Sequence, residues 1–141
     1  MAPLTEPLTL CIDAMGGDNA PRMVVEGIEV SLDSPRQIKF LLFGDQAKLS
    51  PLLKSHPRTA QVSEIRHTEE VISNEEKAGV ALRAGRDSSM RLAINAVGSG
   101  EAGGVISAGN TGALMAMAKF VLKTLPGIDR PAIATYYPTQ R

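Results

Sequence analysis

The chain has 141 residues, 43% of them hydrophobic and 21% charged, the proportions of a single globular core. Lys and Arg number 15 against 15 Asp and Glu, and the aromatic residues are 3 Phe and 2 Tyr with no Trp. That balance excludes a basic surface spread along the chain for nucleic acid, and the scarcity of aromatics excludes a base-stacking platform, so any electrostatic recognition must be local.

The single cysteine, Cys11, lies in an apolar run and reads as a small buried hydrophobe, leaving no disulfide within the chain. The N-terminal MAPLTEPL lacks the basic and apolar regions of a secretory signal, and no window approaches the ~18 apolar residues of a transmembrane helix. The expected location is cytoplasmic.

In chain order, residues 8–13 (LTLCID) predict a largely apolar strand. The stretch IDAMGGDNAP, residues 12–21, leaves it through Asp13, Gly16, Gly17, Asp18 and Asn19 before Pro21. Residues 20–33 predict a helix, with Arg22, Glu26, Glu29 and Asp33 as a solvent stripe opposite Val24, Val25, Ile28 and Leu32. Residues 37–43 (QIKFLLF) predict a second strand, residues 45–54 a short helix interrupted by Pro51, and residues 61–66 (QVSEIR) a third strand. From Thr68 to Arg86 the pattern weakens to a loop with a helix from about Glu75. Four acidic residues, Glu69, Glu70, Glu75 and Glu76, there precede Lys77, Arg83, Arg86 and Arg91, and two solvated faces are the simplest account of that order.

Asp87 or Ser88 is placed to cap a helix over residues 88–97, with Met90, Ala93, Ile94 and Val97 on one face. Residues 103–108 (GGVISA) predict a buried fourth strand. The helix that follows is apolar nearly all round, with Lys119 and Lys123 on one stripe, and belongs at the centre of a domain or at a subunit interface. Its Met115 and Met117 suit core filling or the lining of an acyl-chain site. Residues 131–137 (PAIATYY) predict a fifth strand. Strands alternating with helices imply right-handed crossovers and a mostly parallel sheet covered on both faces: a three-layer α/β/α architecture in one domain over residues 1–141. Because the last strand would lack a covering crossover, the expectation is the N-terminal part of a longer enzyme.

Open α/β sheets bind ligands beyond the carboxyl ends of their strands, where loops enter helices. Three loops fit. In the first, Gly16 and Gly17 allow close backbone approach, Asn19 can cap and Pro21 suits a helix's first turn; GGDN is also ordinary turn chemistry. Asp13 and Asp18 would repel an anion and are better suited to orienting the loop or a cation. In the second, Ser107, Gly109, Asn110, Thr111 and Gly112 bring small residues, a capping side chain and a hydroxyl to one helix start. In the third, Ser88 and Ser89 stand beside Arg83, Arg86 and Arg91, a combination suited to phosphate, although capping alone accounts for one serine. Gly98, Gly100 and Gly103 satisfy G-x-G-x-x-G but follow a helix and precede a strand, the reverse of the dinucleotide context. His56 and His67 have no partners at metal-ligand spacing, so no metal site is expected.

The segments IDAMGGDNAP (12–21), DSSMRLAINAV (87–97), VISAGNTGALMA (105–116) and GIDRPAIA (127–134) resemble, in order and spacing, the bacterial PlsX-type phosphate acyltransferases of phospholipid synthesis. The resemblance covers essentially the whole chain. It implies an enzyme that moves a long-chain fatty acyl group from acyl carrier protein to inorganic phosphate, giving acyl phosphate for glycerol phosphate acylation, without a cofactor. It further implies a fold similar to isocitrate and isopropylmalate dehydrogenases, a homodimer, and a cytoplasmic location that extends to peripheral contact with a membrane. Where the family commonly carries two lysines, this sequence has Gly85 and Arg86.

On this reading Asn110 and Thr111 are the catalytic candidates. They and the amides near Gly109 and Gly112 hold phosphate or the reacting carbonyl, Ser88 and Ser89 assist, and the loop with Gly16 and Gly17 closes the crevice. Lys77, Arg83, Arg86 and Arg91 suit docking of the acidic carrier. The alternatives are a dehydrogenase of the related fold, against which the misplaced glycine pattern argues, and a binding or dimerisation fragment without turnover.

Overall fold

The computed structural model describes residues 7–139. Strands β1 (Leu8–Asp13), β2 (Ile38–Gly44), β3 (Ser63–His67) and β4 (Gly104–Ile106) form one parallel sheet in the order β3-β2-β1-β4. Successive side chains of a strand point to opposite faces. Leu10, Ile12, Phe40 and Leu42 therefore share one face with α1 (Arg22–Ser31), α2 (Gln46–Ser55) and α3 (Pro57–Val62), which contribute Val25, Ile28, Leu49, Leu53 and Val62. Cys11, Leu41 and Phe43 share the other with Ala93 and Ala96 of α5 (Ser89–Gly98). Against α5 lies α6 (Thr111–Leu122), which in turn packs on α4 (Ala78–Ala84), the three joined through Ala81, Met90, Ile94, Ala113 and Met117. The expected three-layer α/β/α arrangement is present, with its sheet parallel throughout.

Several local expectations are corrected. Pro51 does not interrupt α2: it sits inside the helix, and Leu49 and Leu53 on either side of it are buried against the sheet. Burial of that face outweighs the backbone bond that proline forgoes. The third strand starts later than expected because Gln61 and Val62 close α3, a helix begun by Pro57 at its first position, where a missing N–H leaves nothing unsatisfied. The helix expected from about Glu75 begins at Ala78, and β4 is shorter than the predicted strand at both ends.

The fifth strand is absent: residues 131–139 carry neither strand nor helix, and Ile133 and Tyr136 are 70% and 100% exposed. A strand needs a neighbour for its backbone groups and a cover for its apolar side chains, and this segment meets neither among the described residues. Nor is α6 central. Ala113 and Met117 are buried under α4 and α5, while Phe120 is 55% exposed on the outer side. Among the described residues no helix is long and apolar enough to cross a membrane.

Cys11 is fully buried on β1, as its apolar surroundings predict. Burial pushes its thiol up from 9.0 to about 11; the charge of Glu101 adds to the rise and Arg66 opposes it. A thiol that ionises later in the folded than in the unfolded chain contributes stability below the unfolded pKa and loses it as pH rises through the folded one. The unfolding free energy should therefore fall by up to about 2 kcal/mol as pH rises from 9.0 towards 11. Urea titrations of the chain and of Cys11→Ala across that window check this: the variant is less stable throughout but lacks this component of the slope.

Candidate functional site

Asp13 ends β1 on the face that receives α5, and it is only 2% exposed. A buried carboxylate needs donors, because leaving it unpaired costs several kcal/mol. Two serine hydroxyls supply them. Ser89 Oγ donates to Oδ1 at 2.6 Å, and Ser107 Oγ donates to Oδ2 at 2.7 Å. Ser89 opens α5 and Ser107 follows β4, so one carboxylate gathers the three loops that the sequence singles out. Ser107 Oγ in turn accepts the Gly109 N–H at 3.1 Å.

Glycine lets the first loop close over this centre. A Cβ on Gly16 would stand 2.5 Å from Asp13 Oδ2, 2.9 Å from Ser107 Oγ and 3.0 Å from Gly109 N. Gly17 has φ +106°, a left-handed conformation that disfavours any side chain, and its added Cβ would meet the Ala108 carbonyl at 3.2 Å. Asn19 does not cap α1: the helix starts at Arg22 after an uncapped Pro21, and Asn19 contributes its backbone carbonyl to Met23 N–H.

The start of α5 is closed off. Ser88 Oγ donates to the Gly85 carbonyl at 2.8 Å and accepts Arg91 N–H at 3.2 Å, while Ser89 N–H donates to the Glu70 carbonyl at 2.9 Å. Thr68 Oγ1 donates to the Asp87 carbonyl at 2.6 Å and fastens the same loop. The side chain of Asn110 is fully engaged as well. Its Oδ1 caps α6 by accepting Ala113 N–H at 3.0 Å, and its Nδ2 donates to the carbonyls of Ser73, Asn74 and Glu76 at 3.0, 3.3 and 2.8 Å. Asn74 Nδ2 continues the line to Asp18 Oδ1 at 2.9 Å. The roles of Asn74, Glu70 and Thr68 escape a reading of the sequence, because most of these bonds use a backbone group on one side, the carbonyls of Asn74, Glu70 and Asp87 among them, which no residue identity marks.

What remains open is the beginning of α6. The N–H groups of Asn110, Thr111 and Gly112 have no acceptor among the described residues, and Thr111 and Gly112 are exposed. A Cβ at Gly112 would lie 3.6 Å from Cβ of Ala78, which places neighbouring Lys77, the residue before α4, near this end. Arg83 and Arg86 are exposed at the end of α4 and just beyond it. Arg91 is partly covered: it stacks 5.1 Å from the centre of the Phe120 ring and donates to Asn95 Oδ1. The structure thus brings Asp13, Gly16, Ser89, Ser107 and Gly109 together, and it distributes the basic residues over the α4–α6 side.

Comparison with known proteins adds what geometry alone does not. The family described as fatty acid synthesis protein matches residues 8–141. The chain belongs to that family. Curated relatives are called phosphate acyltransferase. The protein of Rhodospirillum centenum is 55% identical over 138 residues, covering 98% of this chain and 39% of the relative. That of Rhodospirillum rubrum is 52% identical, with 98% of this chain and 40% of the relative covered. That of Paramagnetospirillum magneticum is 54% identical, with 96% and 39% covered. The chain therefore spans about two fifths of the length of these family members.

The close approach of Gly16 to Asp13 can be tested directly. Gly16→Ala places a methyl group against a buried carboxylate oxygen and a backbone nitrogen, and should lower the unfolding free energy by about 1–3 kcal/mol. Chemical denaturation measures it; a variant as stable as the parent would mean that the loop does not seat on Asp13.

Proposed function

We propose that this chain carries the phosphate-holding part of an acyltransferase that moves a long-chain fatty acyl group from acyl carrier protein to inorganic phosphate. The observation that carries this reading is the row of unpartnered N–H groups at Asn110, Thr111 and Gly112, at the start of the 12-residue helix α6. Helix N-termini concentrate partial positive charge and free donors, which suits a tetrahedral oxyanion. Lys77, exposed and next in sequence to Ala78 at that end, is a cation available to the same region. The names of the relatives make phosphate and an acyl group the appropriate chemistry.

In this reading the amides and the Thr111 hydroxyl contact phosphate. Asn110 holds the helix start in shape, Ser88 and Ser89 hold α5, and Gly17, Asp18 and Asn19 form the facing wall. A phosphate oxygen attacks the thioester carbonyl carbon and forms the new C–O bond. The tetrahedral oxyanion collapses, the C–S bond breaks, and the carrier thiol leaves with a proton. Holding the nucleophile against the carbonyl, with donors aimed at the developing charge, suffices without a protein nucleophile. The carboxylate of Asp13 does not compete, since both its oxygens already accept serine hydroxyls and Gly16 lies over them. Lys77, Arg83, Arg86 and Arg91 offer an acidic carrier a complementary face.

The test is acyl phosphate formation by this chain and by a polypeptide of the relatives' length. In an active polypeptide, Thr111→Ala should raise the KM for phosphate at least about tenfold and leave that for the carrier unchanged, as expected for a lost bond to a charged group. Arg83→Glu should do the reverse, with an effect that shrinks at high salt. Unaltered phosphate kinetics in Thr111→Ala would reject the assignment.

A further inference from the structure

We infer that Asp13 is a positioning residue, which sets the anion site at α6 through Ser107 without itself meeting the substrate; the inference rests on the phosphate reading above. A serine hydroxyl has one proton. Because Asp13 Oδ2 takes the proton of Ser107, the lone pairs of that oxygen are left to accept the Gly109 N–H. The chain is thereby fixed two residues beyond β4 Ile106's successor Ser107, and the Gly109 amide is withdrawn from the set available to a ligand. The next three amides, at Asn110, Thr111 and Gly112, stay free. The second carboxylate oxygen fixes the start of α5 through Ser89 in the same manner.

Two observations keep Asp13 away from the ligand. The residue is 2% exposed, and an added Cβ at Gly16 would already be 2.5 Å from Oδ2, so no space for a tetrahedral ion separates the loop from the carboxylate. Its negative charge would also oppose phosphate at any short distance. Charge and position therefore make opposite predictions for Asp13→Asn, a change of nearly identical shape. If Asp13 acts only through its charge, neutralising it should tighten phosphate binding. If it acts by position, binding should weaken, because the amide nitrogen that replaces one oxygen cannot accept a hydroxyl proton.

The experiment uses the 141-residue chain labelled with nitrogen-15, compared as wild type, Asp13→Asn and Ser107→Ala. Two quantities are read: the inorganic phosphate concentration needed to shift the amide signals of residues 110–112, and the hydrogen-exchange protection of Gly109 without phosphate. The inference expects Asp13→Asn to need about tenfold more phosphate, and Gly109 to lose about tenfold in protection in both variants while Val25 and Ile94 keep theirs. A role confined to overall stability would lower protection everywhere and leave phosphate affinity unchanged in the folded chain, which overturns the inference. Equal or tighter phosphate binding in Asp13→Asn overturns it as well. If phosphate shifts no amide in the wild type, the phosphate reading falls. Gly109 then decides alone: selective loss of its protection in both variants keeps Asp13 as the residue that positions this loop, and retention rejects it. Ser107→Ala provides the answer should Asp13→Asn fail to fold.

Discussion

A carboxylate at the end of an inner strand, closed off from water, is the constraint around which this site is arranged. The Asp13 carboxylate needs hydrogen-bond donors in that position, and the hydroxyls that satisfy it come from segments 76 and 94 residues further along the chain. Their arrival fixes the ends of β1 and β4 and the start of α5 relative to one another. Only glycine tolerates the resulting closeness at position 16. The polar centre is thus a consequence of topology as much as of residue type: in a parallel sheet with β1 inside, the carboxyl ends of neighbouring strands all open on the same rim.

A second polar device works from the outside. Asn110 caps α6 with its oxygen and ties three carbonyls of the 73–76 loop with its nitrogen, and Asn74 extends the tie to Asp18. The loop between β3 and α4 has one buried apolar anchor of its own, Ile72, set among α4, α5 and α6. Its position therefore depends on hydrogen bonds to a helix start and to the first glycine loop. Because Asn110 both caps α6 and holds this loop, the loop and the helix start share one set of hydrogen bonds. In the proposed reading an oxyanion occupies that end.

The elements most legible from sequence are those whose burial follows a simple period. The strand over residues 8–13 and the helix with stripes at Arg22 and Val25 appear where an apolar run and helical spacing place them. Ser88 caps α5 and Asn110 caps α6, as their positions ahead of apolar periods imply. Periodicity failed where tertiary context decides. Pro51 stays in a helix because Leu49 and Leu53 are held by the sheet, and residues 131–137 have strand composition but no ladder. At the site, glycines and serines mark the convergent loops, yet composition does not reveal which hydroxyls are already spent. Ser88, Ser89 and the Asn110 side chain are engaged within the protein, a fact that depends on the Gly85 and Ser73 carbonyls and on Asp13 rather than on the residues themselves.

The central claim is that an oxyanion is held by backbone donors at the start of α6, behind which Asp13 orders the loops. Crystals of the chain grown with tungstate, a tetrahedral oxyanion visible by anomalous scattering, test it most directly. The account predicts a tungsten peak with its oxygens within hydrogen-bond distance of the N–H groups of residues 110–112 and no contact with Asp13. A peak elsewhere with that helix start empty, or one coordinated beside the Asp13 carboxylate, would contradict it.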